Sequence, residues 1–199
     1  MSTPSSTGKV PVGGAEIYYE IHGDGSPLVL LHGGVDPSQT FGGTLAAMAR
    51  THKVIAIHMR GHGFSKDSDA TWSAELMADD VAAVLQHLGI GKARFMGYSL
   101  GAAVGLQVAI RHPELVEKLV SVSVAFSTDG DYPEVREAFA QMPGMAAAIG
   151  QQLSASPLAQ LYPDVDWERM FRKSGEAESC WPMAAAMLGI CANASRTSG

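Results

Sequence analysis

Residues 28–31, Leu-Val-Leu-Leu, are four apolar side chains in a row, entered from the Gly23-Asp24-Gly25-Ser26-Pro27 loop and left through His32-Gly33-Gly34. Successive side chains of a strand point to opposite faces, so a run with no polar member has to be covered on both sides. That excludes a one-sided sheet and calls for helices on both faces. Residues 53–57 and 93–96 read as further buried strands, and 118–125 as a fourth. Helical periodicity fills the gaps between them. It covers 41–50, then 73–88, with Ser73 as N-cap and an apolar stripe through Met77, Val81, Val84 and Leu85, then 99–112, stopped by Pro113. Strand and helix therefore alternate from Leu28 to Ala125, the βαβ pattern of a mostly parallel sheet. Ahead of it, 10–12, the Gly13-Gly14 turn and 15–21 predict a β-hairpin.

From Asp131 the pattern changes to helical stretches at 134–141, 145–153, 167–173 and 182–189 with no clear strand. The expected organisation is a flexible arm over 1–8, an α/β core over 9–126, a helical lid over 127–190 and an irregular tail over 191–199. With 199 residues, 46% hydrophobic and 17% charged, the chain can bury a sizeable core. Its net charge of −6 and its 14 scattered Lys and Arg argue against nucleic acid or an anionic membrane as partner, since both need a basic patch. Cys180 and Cys191 are too few for a disulfide framework, and no Cys/His spacing suggests zinc. No apolar h-region opens the chain, and the longest apolar run, 182–194, falls short of the roughly 18 residues of a spanning helix. A soluble, cytoplasmic protein is the expectation.

The strongest chemical signal is Gly97-Tyr98-Ser99-Leu100-Gly101, a G-x-S-x-G string placed between a predicted strand and a predicted helix. A turn that sharp brings backbones close together, and glycines two residues either side of the serine leave the room. It holds the serine hydroxyl above the sheet, while the helix N-terminus presents N–H groups where an oxyanion would form. Leu100 supplies the first such amide. The loop His32-Gly33-Gly34-Val35, directly after a buried strand, can supply a second from Gly34. His32 itself reads as a packed, hydrogen-bonded loop residue whose value lies in the backbone it fixes. His62, in Arg60-Gly61-His62-Gly63-Phe64-Ser65, reads as part of a structural turn.

H-G-G-V after one strand, R-G-H-G-F-S after the next, then G-Y-S-L-G-A, in this order, resemble the α/β-hydrolase fold family over about residues 9–190. The closest likeness is to its small esterases, lactonases and cofactor-free haloperoxidase-like members. The resemblance implies an α/β-hydrolase-type sheet flanked by helices with a helical lid, and no metal or cofactor. It implies Ser99 as nucleophile, with oxyanion amides from Gly34 and Leu100 and with Gly97 and Gly101 shaping the elbow. The substrate class would be a small carboxylic ester or lactone.

Two departures stand out. Family members usually carry an aspartate two residues before R-G-H-G, and here that position is His58. Family members also run longer. The last strands, the usual acid and the base histidine that follow the lid in the family are absent here, so a C-terminally truncated sheet is expected, with 118–125 as an edge. Six of the seven histidines precede Ser99, and His112 lies at the far end of the next helix, about 20 Å away at 1.5 Å per residue. Asp129 is a candidate acid, and its alternative reading is a solvated loop aspartate. Three functions stay open: an ester or lactone hydrolase, a catalytically inactive remnant or binding module, and a cofactor-free perhydrolase. Halide displacement is disfavoured, because it needs a carboxylate where Ser99 stands.

Overall fold

The computed structural model of the chain describes residues 3–35, 41–124 and 132–178. Strands β1 (Ser6–Val12) and β2 (Ala15–His22) form the predicted hairpin around Gly13-Gly14. The alternation then begins: β3 (Ser26–Leu31), α1 (Gly42–Met48), β4 (His52–Ile57), α2 (Ala74–His87), β5 (Ala93–Tyr98), α3 (Leu100–Arg111) and β6 (Val116–Val122). The six strands make one sheet in the order β1-β2-β4-β3-β5-β6. The β4, β3, β5 and β6 pairs are parallel, and β2 joins β4 antiparallel. Parallel strands require crossover connections, and α1, α2 and α3 provide them.

Both faces of β3 are buried, as its apolar run requires. Val29 and Leu31 join Ile17, Ile55, Ile57 and Phe95 in the larger core, covered by Val81, Val84 and Leu85 of α2 and by Ala103 and Val104 of α3. Leu28 and Leu30 face the other way and pack with Val54 and Phe41, with Leu45 and Met48 of α1 against them. The N-terminus of α2 is capped as predicted, with Ser73 Oγ accepting the Leu76 N–H at 3.1 Å. The loop after β4 is tied to α2 by a buried bidentate pair. Arg60 Nε and Nη2 each donate to an Asp80 carboxylate oxygen at 2.7 Å, and Arg60 Nη1 donates to Ser68 Oγ.

After β6 come α4 (Pro133–Ser154), α5 (Pro157–Leu161) and α6 (Trp167–Glu178). The stretches expected at 134–141 and 145–153 are one helix that runs through Pro143. Proline removes one N–H from the ladder. The close packing of α6 at that point favours continuity: a Cβ on Gly175 of α6 would lie 2.5 Å from Pro143 Cδ. The arm expected to be flexible over 1–8 is also corrected from Ser6 onward. Ser6, Thr7 and Gly8 pair with Ile21, Glu20 and Tyr19, and Ser5 Oγ donates to the Ile21 carbonyl. Strand β6 begins two residues before the predicted one and is the last strand of the sheet among the described residues, with Val120 54% exposed. The predicted helix at 182–189 and the tail 191–199 lie outside the described residues. Among the described residues, no helix is long and apolar enough to cross a membrane.

Arg60 is fully buried, so its partner is not dispensable. Replacing Asp80 by alanine leaves a guanidinium in the core with only Ser68 Oγ, and such losses typically cost about 3–5 kcal/mol. Urea unfolding of Asp80→Ala should show a loss of that order with an unchanged slope. A loss under about 1 kcal/mol would contradict the pair's role in holding the loop.

Candidate active site

Strand β5 ends at Tyr98 and α3 starts at Leu100, so one residue, Ser99, makes the whole turn. Its backbone sits at φ 50°, ψ −116°, a region that costs a non-glycine residue about 1–3 kcal/mol. Crowding enforces it. A Cβ on Gly97 would lie 2.7 Å from Ala102 Cα, and a Cβ on Gly101 would overlap the Leu31 carbonyl and lie 2.6 Å from the His32 carbonyl oxygen. Three backbones, the end of β3, β5 and the first turn of α3, are thus in direct contact. The Ser99 N–H donates to the Val122 carbonyl of β6 at 2.9 Å, and its carbonyl accepts the Ala102 and Ala103 amides. Ser99 occupies the N-cap position of α3, yet its side chain makes no capping bond. Ser73 and Ser156, at the same position of α2 and α5, both cap. The Ser99 hydroxyl is therefore not spent on capping α3.

The loop after β3 runs alongside. The Cβ position of Gly33 is 3.7 Å from Ser99 Cβ, and the Tyr98 ring packs on the same glycine. His32 Nε2 accepts the Met59 N–H at 2.9 Å, which places the imidazole proton on Nδ1, and Nδ1–H donates to the Gly33 carbonyl. No cis peptide is present among the described residues, and in a trans peptide C=O and N–H point in opposite directions. Anchoring the Gly33 carbonyl on the imidazole therefore turns the Gly34 N–H away from it. Among the described residues, no atom lies within 4 Å of the Cβ position of Gly34. Leu100 N–H is one of the first amides of α3, which have no partner inside the helix. Val35, next in the loop, is held at φ 77°, a strained position for a β-branched residue that the sequence does not announce. Ser99, Leu100, the two elbow glycines and the Gly33-Gly34 loop are thus gathered at one end of the sheet. Asp129 lies outside the described residues.

The described histidines are engaged elsewhere. His22 meets Glu20, His52 meets Thr51 and Arg94, His87 lies against Tyr19, and His112 pairs with Asp79. His58 stands where the family has aspartate, and it does an acceptor's work: its Nδ1 takes the Phe64 N–H at 3.2 Å, holding the R-G-H-G-F-S loop. Its carbonyl accepts Ser65 Oγ, which in turn accepts the Tyr18 N–H. His62 Nδ1–H donates to the Arg60 carbonyl, and its Nε2 is buried with no partner among the described residues. The rings of His32, His58 and His62 lie close, 6.1 Å from His32 to His58 and 5.3 Å from His32 to His62. The nitrogens that are bonded have separate partners, and among the described residues no group of three ligands could hold a metal ion.

Burial dominates these imidazoles. Burial, with His62 beside it, pushes His58 down to about 3. Burial and the neighbouring His62 and His58 hold His32 well below its ordinary value. Burial lowers His62 too, against the opposing pull of the Arg60 carbonyl and Asp67. Groups held neutral in the fold but able to take a proton when unfolded, at about pH 6.5, stabilise fully above that pH. Stability should be flat above about pH 7 and fall below about 6.5, with His58 alone accounting for about 2 kcal/mol by pH 5. His58→Asn keeps an acceptor for the Phe64 amide but cannot titrate, so it should flatten the urea-midpoint curve between pH 5 and 7. An unchanged curve would show that His58 is not neutral in the fold.

Residues 26–170 match the family model for the alpha/beta hydrolase fold. The chain is 32% identical over 168 residues to the dihydrolipoyllysine-residue acetyltransferase component of the acetoin cleaving system of Pseudomonas putida, covering 78% of this chain and 41% of that protein. The enol-lactonase of Burkholderia xenovorans LB400 superposes with a TM-score of 0.64 at 27% identity, covering 90% of this chain and 74% of that one. Est816, described as an N-acyl homoserine lactone degrading enzyme, does so at 0.61 and 28%, covering 85% and 69%. The chain spans 31–44% of the length of several curated relatives that it matches. With the strand order, the single-residue elbow and the loop beside it, the match over most of its length shows that this chain belongs to the α/β-hydrolase fold family.

Proposed function

We propose that the chain carries the nucleophile and oxyanion side of a serine hydrolase acting on small carboxylic esters or lactones. The observation behind this reading is Ser99 itself: strained, at a helix N-cap, and making no cap. Strain at a residue whose hydroxyl makes no capping bond supports a functional use of that hydroxyl. In this reading Ser99 Oγ attacks the carbonyl carbon, and the negative oxygen of the tetrahedral intermediate is met by the Gly34 and Leu100 amides. Collapse breaks the bond to the alcohol oxygen, which leaves with the proton that Ser99 gave up. Water then attacks the acyl-enzyme, releasing the acid and restoring the serine. The lactone-cleaving structural neighbours support the substrate class. No metal or cofactor enters this scheme.

Proton transfer needs a base, because a serine hydroxyl alone is a poor nucleophile. Among the described residues no histidine hydrogen-bonds Ser99, and this observation supports a second reading, a binding module that keeps the pocket without turnover.

A short-chain p-nitrophenyl ester separates the two. Under the hydrolase reading, Ser99→Ala lowers kcat by about 10⁴-fold or more, since the covalent route is lost. A loss under about tenfold removes Ser99 from the mechanism. Saturable ester binding without turnover in the wild type favours the binding module.

A further inference from the structure

Among the described residues, two contacts between the α4–α6 layer and the rest of the fold stand out. One is aromatic: Tyr162, at the end of α5, lies 5.1 Å from the Phe64 ring and 6.2 Å from His58. The other is polar and centres on Asp67, two residues past the R-G-H-G-F-S loop. Its largely buried carboxylate accepts Trp72 Nε1–H at 2.9 Å, Arg169 Nε–H at 3.1 Å and Lys173 Nζ–H at 2.7 Å. Arg169 and Lys173 are four apart, one turn on the same face of α6. Both also donate to the loop's backbone: Arg169 Nη2 to the Ser68 carbonyl at 2.8 Å, and Lys173 Nζ to the Ser68 and Ala70 carbonyls at 2.6 and 2.9 Å.

This is not an ordinary surface ion pair. Lys173 is only 8% exposed and lies 5.6 Å from the centroid of the Trp72 ring. Its charge is affordable there because the carboxylate and two carbonyls surround it. The contact also continues inward. Trp72 lies 5.2 Å from His62, His62 lies 5.3 Å from His32, and His32 holds the Gly33 carbonyl. The loop that grips α6 is therefore packed, ring against ring, on the group that orients the Gly34 amide.

We propose that Asp67 is a positioning residue: it latches helix α6 to the core and so sets how the α4–α6 layer bears on the loop that packs, through Trp72 and His62, on His32 beside the Ser99 site. The activity arm of the test rests on the hydrolase reading above, and the exchange arm does not. Hydrogen exchange followed by mass spectrometry on the full chain compares wild type with Asp67→Asn, which keeps the shape and loses the charge. Amides of α6 should exchange about tenfold faster or more in the variant, with those of β4 and α2 within about twofold. The KM of a p-nitrophenyl ester should rise about fivefold or more with kcat within about twofold. Unchanged exchange in α6 overturns the latch. Equal acceleration throughout overturns it as well, because Asp67 would then serve only global stability. If Asp67→Asn does not fold, Arg169→Gln removes one of the two cations and must show the same selective pattern. If the wild type turns over no ester, the hydrolase reading fails, and the exchange result still decides the latch.

Discussion

The close approach of three backbones, the end of β3, β5 and the start of α3, governs the rest of the site. Gly97 and Gly101 let three backbones touch, and no side chain fits between them. The chain then has one residue in which to turn from strand to helix, and that residue takes the strain. Small side chains carry the approach further along α3: Ala102 and Ala103 are fully buried, and Gly105 lies under Leu119 of β6. Because the Leu31 carbonyl is one wall of the contact, the His32-Gly33-Gly34 loop that leaves β3 is delivered to the serine without any element of its own. The Val122 carbonyl of β6 closes the turn from the other side. Closing the sheet and shaping the site are thus one packing problem.

Around that contact, histidines act as neutral hydrogen-bonding parts. An imidazole with one donor and one acceptor nitrogen can tie two backbone groups that differ in polarity, which neither a carboxylate nor an ammonium can do. His32 does so between Met59 and Gly33, and His58 supplies an acceptor where relatives of this family usually have a carboxylate. A charged aspartate in so dry a position would carry a large desolvation cost. The imidazole avoids that desolvation, in exchange for sensitivity to acid. Arg60 follows the opposite solution, a full charge matched bidentately by Asp80.

The parallel strands and the elbow were legible in the sequence because their signals are local. A run such as Leu28–Leu31 needs no partner to be recognised as doubly buried, and the two elbow glycines announce a tight turn by spacing alone. Other features were hidden because they depend on residues distant in the chain. Ser6–Gly8 look like a frayed arm until β2 provides the ladder. Pro143 looks like a helix stop until α6 packs across it. Asp67 carries no local signal of its role, because Arg169 and Lys173, about a hundred positions later, close on it only in the fold. His58 looked like a defect in the family pattern, because only the fold shows which amide its Nδ1 accepts.

In the proposed reading the strained Ser99 hydroxyl faces two backbone amides, Gly34 in the loop after β3 and Leu100 at the start of α3. A crystal structure of the protein after reaction with a small fluorophosphonate tests this directly, since the tetrahedral phosphorus adduct mimics the acyl-transfer intermediate. The account predicts a covalent bond to Ser99 Oγ, with the phosphoryl oxygen about 2.7–3.1 Å from both the Gly34 and Leu100 nitrogens. An adduct on Ser99 whose oxygen approaches neither amide, or no adduct at Ser99 at all, would contradict it.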